Sequence, residues 1–172
     1  MNVGDMKNEV PGTAPGEEWA MPWDLREWAE PAHLQRWVCE EIDTLDWDNP
    51  ELVEHLRQRP DYDPKSFLRL LTYAYCTGSF ESEELQRRCQ DREYQQLLGR
   101  RWSPAAREIT RFRRENRGLL KWALVQVFKH ALRARGGDFH LFLPAGVKRH
   151  LIRVAVTRLD LARQIDRGHE GL

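Results

Sequence analysis

Residues 60–116 read PDYDPKSFLRLLTYAYCTGSFESEELQRRCQDREYQQLLGRRWSPAAREITRFRREN. Asp63-Pro64 opens a helix: a short carboxylate can accept from first-turn N–H groups, and a proline loses nothing at the first position, where its missing N–H has no intrahelical partner. Phe67, Leu68, Leu71, Ala74 and Tyr75 then recur at steps of three and four, the stripe of a buried helix, and Gly78 ends it. Ser82 is placed to cap the next helix, with Leu85 and Cys89 inward, and Tyr94, Leu97 and Leu98 close a short one before Gly99. Ser103-Pro104 opens another, whose inward positions are Ile109 and Phe112. No sustained alternation of apolar and polar residues interrupts the series. The expected class is all-α, a multi-helix domain of short helices containing a helix-turn-helix-like unit.

The same signals extend in both directions. Upstream, Pro31 suits a first helical turn and Leu34, Trp37, Val38 and Leu45 line one face. Asn49-Pro50 repeats the cap-plus-proline device for a short helix through Leu52, Val53 and Leu56. Five of the seven tryptophans, Trp19, Trp23, Trp28, Trp37 and Trp47, crowd this region, and such a cluster reads as packing. Residues 1–18 have no apolar period and read as a disordered tail without a secretory signal. Downstream, a longer helix follows Gly118 through Leu120, Leu124, Val127, Phe128 and Ala131, and Arg135-Gly136-Gly137 breaks it. Phe139–Leu143 reads as a short strand or an apolar loop, and residues 147–165 as a basic amphipathic helix. The expected organisation is a tail over 1–18, a helical domain over 19–135 and a C-terminal extension over 136–172, separable from the domain at the glycine pair.

Composition supports a folded protein: 41% of the residues are hydrophobic and 10% aromatic, enough for a core despite a 31% charged fraction. No stretch approaches the roughly 18 apolar residues of a membrane span. Three unpatterned cysteines, Cys39, Cys76 and Cys89, fit neither a disulfide framework nor a cysteine zinc site, and suggest a reducing cytoplasm. The formal net charge of zero conceals an asymmetry. Residues 1–64 hold 16 acidic and 5 basic side chains, a balance of −11, and residues 65–172 hold 22 basic and 11 acidic, a balance of +11. The second half therefore suits a polyanion, and the two halves can also attract each other.

The basic charge concentrates in Arg100–Arg117, RRWSPAAREITRFRRENR, with seven arginines and two glutamates. On a helix starting at Pro104, Arg107, Arg111 and Arg114 recur at steps of four and three and share one face, Arg113 and Arg117 extend it sideways, and Thr110 adds a hydroxyl. Arg100 and Arg101 precede it. Arginine forks can take phosphates or the O6/N7 edge of guanine, and a helix fits the major groove of DNA. The helix at 91–98 and the turn at Gly99 would supply the frame. The bland alternative is a solvated arginine face, but the absence of lysine from 66 to 120 favours bidentate contacts.

The chain resembles the N-terminal domain of InsH-like bacterial insertion-sequence transposases, of the class with a carboxylate-triad catalytic domain. The resemblance is carried by Tyr62, Asp63 and Pro64 before Leu68, Leu70, Leu71, Tyr73, Tyr75 and Gly78; by Leu97, Leu98 and Gly99; and by Arg107 to Arg113, which match a phrase like S-T-I-S-R-F-R. PAHLQRWVCEEIDTLD, with His33 and Leu34, resembles the family's opening helix. It covers roughly residues 31–134. It implies a partner of double-stranded DNA, terminal inverted repeats included, with a second copy of the chain as a further candidate and no membrane contact.

The departures bear on function. Arg107 and Glu108 replace small polar residues, which would alter base readout. The family's ribonuclease H-like domain holds two metals on three carboxylates, the first ending an apolar strand before a D-G-T-like phrase. Here Asp138 precedes its apolar run FHLFL, and only Asp160, Asp166 and Glu170 follow. The sequence therefore suggests no catalytic residue, no metal site, no cofactor and no enzyme. The six histidines show no metal-ligand spacing, and no phosphate-binding loop motif occurs. A second reading is a protein-interaction module, using the acidic Trp-rich N-terminal part and the basic C-terminal helix.

Overall fold

The computed structural model describes residues 20–52, 63–135 and 143–171. The tail, most of the helix expected after Asn49-Pro50, the glycine pair and most of the apolar run at 139–143 lie outside them. Among the described residues every regular element is helical, and the fold is all-α. A 3-10 turn at Leu25–Glu27 precedes α1 (Pro31–Asp43), α2 (Pro64–Cys76), α3 (Ser82–Arg88), α4 (Arg92–Leu98), α5 (Ala106–Glu115), α6 (Arg117–Ala134) and α7 (Ala145–Glu170).

The core forms where α1, α2 and α6 pack against one another. Helix α2 starts as its sequence dictates: Asp63 Oδ1 accepts from the Ser66 N–H at 3.0 Å, with Pro64 in the first turn. Its burial exceeds the single stripe that the spacing suggests. Every residue from Ser66 to Cys76 except Arg69 is buried, because neighbours cover it on all sides. Helix α6 brings Leu120, Ala123, Leu124, Val127 and Phe128, all fully buried. Gly78, at φ +80°, ends α2 where a Cβ would press to 3.3 Å from the Trp23 carbonyl oxygen, and Gly99, at φ +70°, closes α4. Both conformations favour glycine.

Two helix starts differ from expectation. Ser82 is the first residue of α3 rather than its cap, and its Oγ lies 2.7 Å from Thr110 Oγ1. Helix α5 begins at Ala106, after a buried Pro104, and the Glu108 side chain reaches back to accept from the Ala105 N–H at 2.8 Å. The acidic first half does meet the basic second half: Asp43 pairs with Lys65 at 2.7 Å and with Arg69 at 2.9 Å, and both hold its carboxyl below the usual range.

Helix α7 runs longer than the expected 147–165 and lies along α6. Val147, Leu151, Ala155, Leu159 and Ala162 enter the same hydrophobic cluster as α2 and α6. Arg158, 1% exposed, is clamped at its centre. Its guanidinium donates to the Trp23 carbonyl at 2.9 Å, to the Pro22 carbonyl at 2.6 Å and to the carbonyl of Tyr75 near the C-terminus of α2. It also lies 5.2 Å from the Trp23 and Phe128 ring centres. The partial negative charge of a helix C-terminus suits a cation there, although burial pulls this guanidinium below the usual arginine range.

Candidate nucleic-acid interface

Helix α5 is anchored from the inside. Ile109 and Phe112 are fully buried, and Phe112 stacks on Phe67 with ring centres 5.0 Å apart. Its partner helix is α3 rather than α4. Ser82 meets Thr110, the Ala106 N–H donates to Gln86 Oε1 at 3.1 Å, and Ser103 Oγ donates to the Gln86 carbonyl at 3.3 Å. The connection from α4 spans residues 99–105, longer than the roughly three to four residues of a helix-turn-helix turn. The hydroxyl of Thr110 is engaged within the fold.

The structure separates the sequence-selected arginines by environment. Arg107, Arg111 and Arg114 are exposed together on α5. Arg107 has no carboxylate partner among the described residues, Arg111 pairs with Glu115 at 2.8 Å one turn on, and Arg114 pairs with Glu170 of α7. Arg117, at the start of α6, pairs with Asp160 at 2.6 Å. Arg100 pairs with Asp63 and lies 5.5 Å from the Trp102 ring centre, while Arg101 is exposed with no carboxylate partner among the described residues.

Arg113 is the exception. It points inward, 5% exposed, where its guanidinium binds both Asp166 oxygens, the Phe80 carbonyl and, at 3.5 Å, the Tyr75 hydroxyl. Burial opposes its charge, but Asp166 and Tyr75 hold the group above the usual arginine range. Arg113 thus joins α5 to α2 and α7 and does not extend the exposed face.

Two clefts flank that face. In one, of about 630 Å³, Arg107, Arg111 and Arg114 face His169 and Glu170 at the end of α7. The other, of about 330 Å³, brings Arg114 and Arg117 together with Arg163 and Arg167 of α7. Neither Arg163 nor Arg167 was singled out from the sequence. Their i, i+4 spacing marks one side of a basic helix, but only the packing of α7 brings that side beside α5.

No group of three histidine, cysteine or acidic residues able to hold a metal occurs among the described residues. Burial pushes the Cys76 thiol up to about 12 and the Cys89 thiol up to about 11, and also raises Cys39, which is half-buried. A thiol far below its pKa carries almost no nucleophilic thiolate. The native protein is therefore expected to react with an aromatic disulfide reagent at pH 8 through Cys39 alone, slowly, and through all three cysteines in denaturant. Fast native labelling of two or more thiols would show that the core opens readily.

A family model described as Transposase domain (DUF772) matches residues 24–115, more than half of the chain. That span runs from the turn before the 3-10 helix to the last residue of α5. No curated protein and no solved structure shows a significant match. Among the described residues, no helix is long and apolar enough to cross a membrane.

Proposed function

The chain belongs to the transposase domain family DUF772, and from that premise we propose that it binds double-stranded DNA through the exposed face of α5. The supporting observation is the placement of Arg107, Arg111 and Arg114 on one exposed side of a helix fastened by Ile109 and Phe112 on the other. Arg100, Arg101 and Arg117 flank it. Several of these guanidiniums hold a carboxylate in the free protein, but exposed pairs contribute only about 0–1 kcal/mol. A phosphate or a guanine edge can replace such a partner at little cost.

In this reading α5 serves as the recognition element and α3 as its support. The InsH-like grouping and terminal inverted repeats as the target are the finer parts of the same proposal. Arg113 and Thr110 act in it through the fold rather than by contacting DNA.

The test is Arg107→Ala, Arg111→Ala and Arg114→Ala combined, titrated against labelled duplex at several salt concentrations. The variant is expected to keep its helicity and melting temperature while losing at least about tenfold in affinity and about 2–3 units of salt slope, near 0.9 for each phosphate contact. Substituted singly, an arginine that reads a base relaxes preference at one position, whereas one on a phosphate weakens all sequences alike. Unchanged affinity in the triple variant would remove α5 from the interface. Failure of the parent to bind duplex at low salt would favour the protein-interaction reading, for which Trp23 and Ile152 are the exposed large hydrophobic side chains among the described residues.

A further inference from the structure

The arginines of α5 and of the α5–α6 junction are largely occupied: Arg111, Arg113, Arg114 and Arg117 each hold a carboxylate. The outer side of α7 is different. Arg149, Arg153, Arg163 and Arg167 are exposed, and none has a carboxylate partner among the described residues. At about 100° per residue, Arg149 and Arg167 lie five turns apart at the same angle, with Arg153 and Arg163 about 40° to either side. The four therefore form one straight stripe, about 27 Å long at 1.5 Å per residue.

One carboxylate of α7, Asp160, falls within the arc of this stripe and is paired with Arg117, and the other two lie to its side. Asp160, Asp166 and Glu170 are directed to Arg117, Arg113 and Arg114. At the C-terminal end the stripe meets the α5 face directly, because Arg163 and Arg167 share a cleft with Arg114 and Arg117. At the N-terminal end the positive charge spreads onto α6. Burial and the neighbouring charges of Lys148 and Arg133 hold the Lys129 ammonium below its usual range, against the pull of Glu41. Like charges crowd there.

We infer that the outer face of α7 is a second DNA-contacting surface, in which Arg149, Arg153, Arg163 and Arg167 bind phosphates of the same duplex that α5 engages. The occupant follows from charge complementarity. A duplex presents one negative charge per about 1.7 Å of axis, both strands counted, so a cationic stripe of this length brings flexible guanidiniums within reach of the backbones that cross it. Four aligned guanidiniums that form no ion pair among the described residues are available for bidentate phosphate contact. The stripe lies outside the residues matched by the family model, so it would supplement recognition by α5 with sequence-independent affinity. This inference rests on the proposed DNA binding.

The test uses the full chain and a labelled duplex of about 20 base pairs, titrated from about 50 to 200 mM salt. The variant Arg149→Gln, Arg153→Gln, Arg163→Gln and Arg167→Gln is expected to lower the slope of log K against log salt by about 3–4, from about 0.9 for each phosphate contact. Its affinity near 0.1 M salt should fall by two to three orders of magnitude. Far-ultraviolet circular dichroism and the melting temperature should match the parent, since the four side chains are exposed. Should the combined variant lose helicity, Arg149→Gln with Arg153→Gln and Arg163→Gln with Arg167→Gln are measured separately, and each pair is expected to lower the slope by about half as much. Arg36→Gln, Arg87→Gln and Arg92→Gln together remove charge from other helices and should change the slope by less than about 1.

A parent that binds duplex while the fourfold variant keeps its slope to within about 1 overturns the inference and leaves the α5 reading standing. That is also the outcome if an acidic protein or an acidic segment of this chain covers the stripe. An equal loss of slope in the control variant overturns it as well, by reducing the effect to net charge. A parent that binds no duplex overturns both.

Discussion

A chain ending at Arg135 will show no cooperative thermal transition, and its far-ultraviolet circular dichroism will fall well below the helix content of the rest of the protein. Leu143, Val147, Leu151 and Leu159 are each at most 4% exposed. At about 1.5–3 kcal/mol for each buried side chain, these four contribute about 6–12 kcal/mol. The whole net stability of a domain is only about 5–15 kcal/mol. The truncation also uncovers the side of α6 on which α7 lies. It removes Arg158, which joins the end of α2 to the strand of chain at Pro22 and Trp23 through three carbonyls. It further deprives Arg113 of Asp166. A truncated protein that melts cooperatively with native helicity would show that α7 is an accessory, as the Gly136-Gly137 pair suggests from the sequence.

That contrast shows where the sequence is legible. Local rules located the helices well. Asp63-Pro64, Gly78 and Gly99 act through short-range backbone chemistry, and each stands where that chemistry places it. The apolar spacing of Ile109 and Phe112 identified the inner side of α5, and therefore the outer side carrying Arg107, Arg111 and Arg114. What spacing could not convey is which helix packs on which. Helix α5 crosses α3 and not its immediate predecessor, through partners such as Ser82 and Thr110 that lie 28 residues apart. The burial of Arg113 is hidden from spacing for the same reason. A hydropathy pattern treats an arginine as surface, and only a carboxylate 53 residues away makes its burial affordable. Equally, a basic helix after a glycine pair looks like an appendage until its apolar side is seen to complete the core.

Asp166→Ala will destabilise the protein by about 3–5 kcal/mol, the usual consequence of leaving a buried charge without its partner. Arg113 is 4% exposed in its side chain and Asp166 12%, so neither is well screened by water. After the substitution the guanidinium keeps only the Phe80 carbonyl and the distant Tyr75 hydroxyl. It cannot discharge by losing a proton, because the arginine pKa lies too high. Arg113→Met should cost less, since Asp166 is the more exposed partner and lies within about two turns of the end of α7, where water can reach it. Arg113→Met combined with Asp166→Leu replaces the pair by apolar volume and should recover most of the loss, because apolar replacements of buried pairs are commonly neutral or stabilising. Denaturant unfolding of the four proteins measures these differences. An Asp166→Ala protein within about 1 kcal/mol of the parent would mean that the pair contributes nothing to holding α5 on α7. The doubly substituted protein also separates the two roles open to Arg113. Its net charge is unchanged and its exposed arginines are untouched, so it should bind duplex DNA with the parent's affinity and salt slope. If it folds as stably as the parent yet its salt slope falls by about 1, Arg113 leaves Asp166 to contact phosphate when DNA binds.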